Sequence, residues 1–285
     1  MRTRRPAAIP WAPGRGEERM AGRLSVRTLG TSGRPFLLVH GLGGSGRYWG
    51  AAYDGLTAAG RIVVPDLLGF GRSQRPTTGY TADDHADAIV GCLDELGIVE
   101  PAVVGAHSLG CLVALALAVR HPDRVAAIVG AGPPLYADAA SARSGISRLG
   151  WLERQFASGN RRARRVCGWT CGHPRTAARL ARLARPSIPT PILLDGLQHS
   201  WSSYSQTLEH LLLAARGDVW LAAVTAPVQL LAGDHDRVPD VAHLRELTRR
   251  HPGLQVTVVV DAGHDLPLTH AATVVAALRA VVPAR

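Results

Sequence analysis

The chain alternates between two kinds of hydrophobic pattern. Short unbroken apolar runs end in glycine-rich polar turns, and longer stretches with apolar residues three or four apart follow them. Phe36 to Val39 predicts a strand ending at His40-Gly41, and Arg61 to Pro65 a strand ending at Asp66. Thr81 to Leu96 predicts a helix, because Ala82, Ala86, Ile89, Leu93 and Leu96 recur on one face and Gly97 stops it. Pro101 to Val104 and Val125 to Val129 read as strands, with a helix from Leu109 to Arg120 between them. After Gly132-Pro133-Pro134 no further strand of this kind occurs until Val228 to Leu231. A helix at Asp240 to Arg250, a strand at Gln255 to Val260 and a helix at Ala271 to Val282 complete the pattern.

Strands alternating with helices imply parallel pairing, and continuous apolar strands imply a sheet covered on both faces. The expected fold class is therefore α/β, a three-layer α/β/α sandwich with a mostly parallel sheet. The expected organisation is a flexible arm over residues 1–22, a core of 23–134 and 223–285, and an inserted helical cap at 135–222. Prolines at 6, 10 and 13 favour an extended arm, and Met20 is a candidate alternative start.

Composition narrows the class. At 285 residues, 46% hydrophobic and 19% charged, the chain reads as globular. Its longest apolar stretch, Leu109 to Val119, falls short of the roughly 20 residues that span a membrane. The N-terminal arginines precede no apolar segment, so no signal peptide is read and a cytoplasmic location is expected. The four cysteines, Cys92, Cys111, Cys167 and Cys171, do not form a disulfide framework. Cys167-x-x-x-Cys171-x-His173 offers three soft ligands, but the cysteines fall on one helix face and no fourth ligand is evident. No metal and no cofactor are expected.

Charge is localised. All 32 basic residues are arginine, and residues 143–185 hold eleven of them against a single acid, Glu153. That stretch alone carries the chain's net +10. Within it Thr176 to Arg185 predicts a helix resting Leu180 and Leu183 on the main domain, with a solvated basic face. Such a basic cap would enrich anionic substrates, or an acidic carrier protein, in a salt-dependent way. A membrane-surface role for this face is a further reading. No nucleic-acid recognition motif accompanies the arginines. Trp151, Trp169, Trp201 and Tyr204 are candidate pocket-lining residues.

Candidate chemistry lies where polar residues follow strands, since functional groups of parallel sheets gather at the carboxyl ends. Four places qualify: His40 and its "HGLGGSG" loop, Ser108, the pair Asp234 and Asp236, and His264. A serine hydroxyl needs a histidine to take its proton, an acid to orient that histidine, and N–H donors for the oxyanion. The chain order Ser, Asp, His fits this set.

Five ordered pieces, "LLVHGLGGSGRYW", "PDLLGFGRS", "VVGAHSLG", "LLAGDHDRVP" and "DAGHDLP", make residues 24 to 282 resemble the α/β-hydrolase fold superfamily. The likeness is to its capped esterases, lactonases, C–C hydrolases and cofactor-free haloperoxidases. It implies Ser108 as nucleophile, His264 as base and Asp236 as acid, with Asp234 in reserve. It places the oxyanion hole at the N–H groups of Leu42 and Leu109, and gives His40 and Gly41 the support of that loop. Asp66, Arg72 and Ser73 then brace the turn before them. The resemblance implies a serine hydrolase acting on a small ester or related acyl compound, the alternatives being C–C hydrolase, lactonase or thioesterase chemistry, or a non-hydrolytic binding protein. One departure stands out: the elbow reads G-A-H-S-L-G, so Ala106 occupies the position two before the serine where glycine is usual. The remaining histidines, among them His107, His173 and His199, read as ordinary surface or core residues, and His270 as the start of the last helix.

Overall fold

The computed structural model describes residues 11–147, 158–184 and 188–281. Its centre is an eight-stranded sheet of order β1-β2-β4-β3-β5-β6-β7-β8. The strands are β1 (Glu17–Ala21), β2 (Leu24–Leu29), β3 (Arg34–Val39), β4 (Gly60–Pro65), β5 (Ala102–His107), β6 (Val125–Ala131), β7 (Val228–Gly233) and β8 (Leu254–Val259). β1, β2 and β4 pair antiparallel, and the remaining pairs are parallel. This is the expected mostly parallel α/β sandwich.

Two apolar layers cover the sheet. One is dominated by α1 (Ala82–Glu95) and α2 (Leu109–Arg120). Thr81 caps α1 by accepting from Asp84 N–H, and the Asp84 carboxylate accepts from Thr81 N–H in return. α2 is buried from Leu109 to Ala118, which explains an apolar run with almost no polar face. Each fully buried Leu or Val side chain there contributes roughly 1.5–3 kcal/mol relative to exposure. The opposite layer packs Trp49, Tyr53, Leu56, Val274 and Leu278 against β3, β4 and β6.

Three expectations change. The first 22 residues are not simply an arm: Glu17–Ala21 forms β1, Met20 pairs with Ser25, and Arg15 and Trp11 are tied to Asp54 and the Arg47 carbonyl. The pull comes from Arg27, buried beside Asp54 and donating to the carbonyls of Arg15 and Trp49. Residues 1–10 lie outside the described residues. Among the described residues β8 is an edge strand, and it is not buried on both faces: Gln255, Thr257 and Val258 are exposed. Finally, the helix at Pro174–Ala184 turns Ala177 and Ala178 inward and leaves Leu180 and Leu183 56% and 82% exposed. The alanines take the buried face of this helix, so the leucine stripe faces outward.

Between β6 and β7 runs a helical segment: α3 (Ala139–Ser147), α4 (Arg161–Gly172), α5 (Pro174–Ala184), α6 (Thr190–Asp195), α7 (Trp201–Thr207) and α8 (Gly217–Ala223). It touches the core at the "HGLGGSG" loop, where Ser45 Oγ donates to Asp195 Oδ2 at 3.0 Å, and through an isolated bridge between Phe70 and His199. After β7 come α9 (Val241–Arg250), a helical turn at Leu266–Thr269, and α10 (Ala271–Ala280). Among the described residues, no helix is long and apolar enough to cross a membrane.

Candidate active site

The sheet order places the site. β3 sits between β4 and β5, so the chain winds outward in opposite directions from the β3–β5 pair. Loops leaving the carboxyl ends of those two strands therefore diverge and open a crevice. His40 to Ser45 leaves β3 and Ser108 leaves β5, and β6, β7 and β8 add their own ends beside them.

Ser108 stands between the last residue of β5 and the first of α2, at φ 53° and ψ −125°. That conformation is uncommon for a residue with a Cβ, and it lifts the side chain off the helix it precedes. The turn is pinned by Ser108 N–H donating to the Ala131 carbonyl at 2.8 Å. Gly110 permits it: a Cβ there would lie 2.6 and 2.8 Å from the carbonyl oxygens of His40 and Val39. Ala106 is fully buried within β5, where its methyl is accommodated. The departure from glycine at that position therefore sits in regular strand.

The three residues separated by up to 156 positions meet. His264 Nε2 lies 3.0 Å from Ser108 Oγ, and His264 Nδ1 lies 2.9 Å from Asp236 Oδ2. The Asp236 carboxylate is fully buried, and its second oxygen accepts Val238 N–H at 2.8 Å. With Nδ1–H donating to this carboxylate, Nε2 keeps its lone pair toward the serine hydroxyl. An imidazole so held can take the proton of the hydroxyl and return it to a leaving group. Asp234 faces elsewhere, accepting the N–H groups of Asp261 and Ala262 at 3.1 Å and thereby fixing the turn that leads into His264.

His40 is fully buried, with Nδ1–H donating to Gly41 O at 2.8 Å and Nε2 accepting Leu67 N–H at 2.8 Å. Burial lowers its pKa, favouring the neutral ring those two bonds require. Asp66 accepts Gly46 N–H and Arg72 N–H, and Ser73 Oγ donates to the Asp66 carbonyl. Gly41 packs directly against Ser108, a Cβ there lying 3.0 Å from the serine Cβ. Leu109 is the first residue of α2, and an N–H at that position has no carbonyl one turn earlier to bond. Leu109 follows the serine directly in the chain, and Leu42 follows Gly41, the residue that packs against it.

Two further residues belong here that the sequence does not single out. His107, read as ordinary, stacks on Tyr48 at 4.6 Å and donates from Nε2 to the backbone carbonyl of His264 at 2.9 Å. Burial, reinforced by the nearby His264 ring, pushes its imidazole down to about 4. Tyr48 also donates its hydroxyl to Asp265 at 2.8 Å. Gly132 follows β6 at φ 62°, and a Cβ there would lie 3.0 Å from His264 Nδ1 and 3.1 Å from Asp236 Oδ2. The signal for Gly132 was its position at the end of a strand. For His107 no sequence signal separated it from other histidines.

Of the aromatic candidates, Tyr204 reaches the β3 loop, where a Gly43 Cβ would lie 3.6 Å from its ring. Trp201 lines a separate cleft of about 250 Å³ with Leu208, Glu209, His210 and Leu213. Trp169 is half exposed and stacked on His173, and Trp151 lies outside the described residues. The sequence grouped His173 with Cys167 and Cys171. The structure instead brings His199 to those cysteines, because His173 ends α4 and turns its ring back onto Trp169.

Comparison with known proteins agrees with this architecture. A family model for the alpha/beta hydrolase fold matches residues 34–271. The 2-hydroxymuconate semialdehyde hydrolase of Pseudomonas putida is 42% identical over 106 residues, covering 34% of this chain and 35% of that protein. The chain thus spans about a third of the length of the first curated relatives it matches. The 2-(acetamidomethylene)succinate hydrolase of Mesorhizobium japonicum is 28% identical over 244 residues, covering 85% of this chain and 84% of that protein. Among solved structures, E-2-(acetamidomethylene)succinate hydrolase superposes with a TM-score of 0.74 at 22% identity, covering 94% of this chain and 99% of the other. An enol-lactonase from Burkholderia xenovorans gives 0.71 at 19% identity, covering 93% and 99%. These relatives and neighbours are similar in fold and are hydrolases, and the chain belongs to the alpha/beta hydrolase fold family.

Proposed function

We propose that the protein is a serine hydrolase that cleaves a small ester or related acyl compound through an acyl-enzyme. The observation that carries this reading is the unbroken contact from the Ser108 hydroxyl through His264 to the buried Asp236 carboxylate, at 3.0 and 2.9 Å. Ser108 Oγ attacks the carbonyl carbon while its proton passes to His264 Nε2. The carbonyl oxygen takes up negative charge and is met by the N–H groups of Leu42 and Leu109, helped by the positive end of α2. Collapse of the tetrahedral adduct expels the leaving group with the proton from His264. Water, deprotonated by the same ring, then releases the acid. Asp234 holds the His264 turn and takes no part in proton transfer.

The helical segment between β6 and β7 acts in this reading as a cap, and its arginines favour an anionic acyl substrate. Two observations support that preference. The arginine-dense stretch 143–185 carries the chain's whole net charge, and the relative matched over most of its length is named for hydrolysis of a succinate derivative. A fluorophosphonate probe should label the protein covalently at Ser108, and Ser108→Ala should abolish labelling. Labelling that persists in the variant would remove Ser108 as the nucleophile. Rates on p-nitrophenyl esters of graded acyl length, compared with and without a terminal carboxylate, then define the acyl pocket.

A further inference from the structure

Cys167 and Cys171 stand one turn apart on the same face of α4, with their sulfurs 3.9 Å from each other. His199, 28 residues further along the chain, presents Nε2 at 3.6 Å from both sulfurs. The three donor atoms form a nearly equilateral triangle. A tetrahedral zinc ion with Zn–S of about 2.3 Å and Zn–N of about 2.0–2.1 Å separates two sulfurs by about 3.8 Å and sulfur from nitrogen by about 3.6 Å. The observed edges already have those lengths.

The histidine is prepared for the role. Its Nδ1–H donates to the Gly196 carbonyl at 2.9 Å, which leaves the lone pair of Nε2 facing the sulfurs. Its ring is held between Phe70 at 6.2 Å and Tyr204 at 5.2 Å. Cys167 is buried, while Cys171 and His199 are partly open to solvent, so an ion can reach the triangle. Among the described residues no fourth His, Cys, Asp or Glu joins the group.

We propose that Cys167, Cys171 and His199 bind a soft divalent cation, zinc by its fit, with the fourth position taken by water. This site is distinct from the Ser108 centre and departs from the sequence expectation of no metal. Binding breaks two S–H bonds and forms two Zn–S bonds and one Zn–N bond. Both protons go to solvent and no electron moves. The thiolates' two negative charges balance the ion, so the site is neutral within an arginine-rich helix. The ion joins α4 to the stretch at Gly196–His199, which in turn packs Gly196 against the carbonyl of Gly43 in the β3 loop. Metal occupancy therefore braces the segment against the loop that carries Leu42.

The test uses the full chain, reduced with a non-chelating phosphine and stripped by a chelator, and titrated with Co²⁺ under anaerobic conditions. The expected result is a thiolate-to-cobalt charge-transfer band with tetrahedral d–d absorption, saturating at one cobalt per chain and bleached by equimolar Zn²⁺. Cys167→Ser/Cys171→Ser should lose the charge-transfer band. His199→Ala should weaken binding by tenfold or more, and Cys92→Ser, far from the triangle, should keep the band. Circular dichroism establishes that each variant is folded. A wild-type titration without the charge-transfer band, or the band retained in the double cysteine variant, overturns the site.

Discussion

The molecule brings side chains together in two places by different means. At the Ser108 centre the partners come from the ends of separate strands of one hydrogen-bonded sheet, so the backbone ladder sets their spacing. At the Cys167–Cys171–His199 triangle the partners come from one helix and a turn joined to the core by an isolated bridge at Phe70, so helix and turn packing rather than a sheet ladder sets it. The first arrangement is legible from strand ends and chain order. The second is not, and His173, two residues from Cys171, was the natural but wrong partner. Function built on a sheet is announced by local pattern, whereas function built between helices depends on which faces turn toward each other.

The largest effect that would break this comparison concerns the sheet-built centre. Ser108→Ala should lower kcat by several orders of magnitude with the fold intact. Asp236→Asn should cost about 10³–10⁴ in kcat by presenting His264 with the wrong tautomer. Asp234→Asn should change kcat by no more than about tenfold, since its carboxylate holds backbone N–H groups. Steady-state kinetics on one ester measures all three, and a larger loss for Asp234 would reverse the assignment of the acid.

Smaller effects come from the glycines that let strands and helix approach. Gly110→Ala should destabilise by about 1–3 kcal/mol, because backbone carbonyls of Val39 and His40 must move. Urea unfolding reads this. Gly132→Ala should lower kcat more than it lowers stability, because the added methyl presses on His264 and Asp236.

Next comes a pH effect shared by both regions. His85 is fully buried on α1 and bonded through Nε2 to Thr207 at 3.2 Å, so it touches the helical segment. Burial pushes its imidazole down to about 3, as it pushes His107 down to about 4. Both rings are neutral in the folded state and protonate more readily when unfolded, near the ordinary value of about 6.5. Their stabilisation is therefore complete above about pH 6.5 and is lost as pH falls toward 4 and then 3. Urea midpoints between pH 7 and 4 should fall accordingly, and His85→Gln should flatten the slope.

The smallest effect tests the arginines. Raising salt from low to physiological strength should raise KM for an anionic ester severalfold and leave a matched neutral ester nearly unchanged, because exposed charges are screened over about 8–10 Å. Equal changes for both would remove electrostatic steering.

Much of the centre could be read from particular residues. Phe36 to Val39, Val103-Val104 and Val228 to Leu231 are apolar runs that must be strands, and the polar residues that follow must lie at one edge of a parallel sheet. The hairpin at Glu17–Leu29 leaves no trace in the hydrophobic pattern, because β1 is almost wholly exposed and carries no apolar run. Its order comes from pairing with β2 and from the buried Arg27. Leu180 and Leu183 lie exposed: helical spacing defines a stripe without saying whether anything covers it.

The sequence alone determined the alternation of strands and helices, the order Ser, Asp, His, and the concentration of arginine in one stretch, since each is a property of residues close in the chain. Tertiary structure alone decided that Gly132 must lack a side chain, that His107 bonds the backbone of His264, and that His199 rather than His173 completes the cysteine pair. Each of those outcomes depends on distances of a few ångströms between residues far apart in the chain, and only the packed sheet and helices fix them.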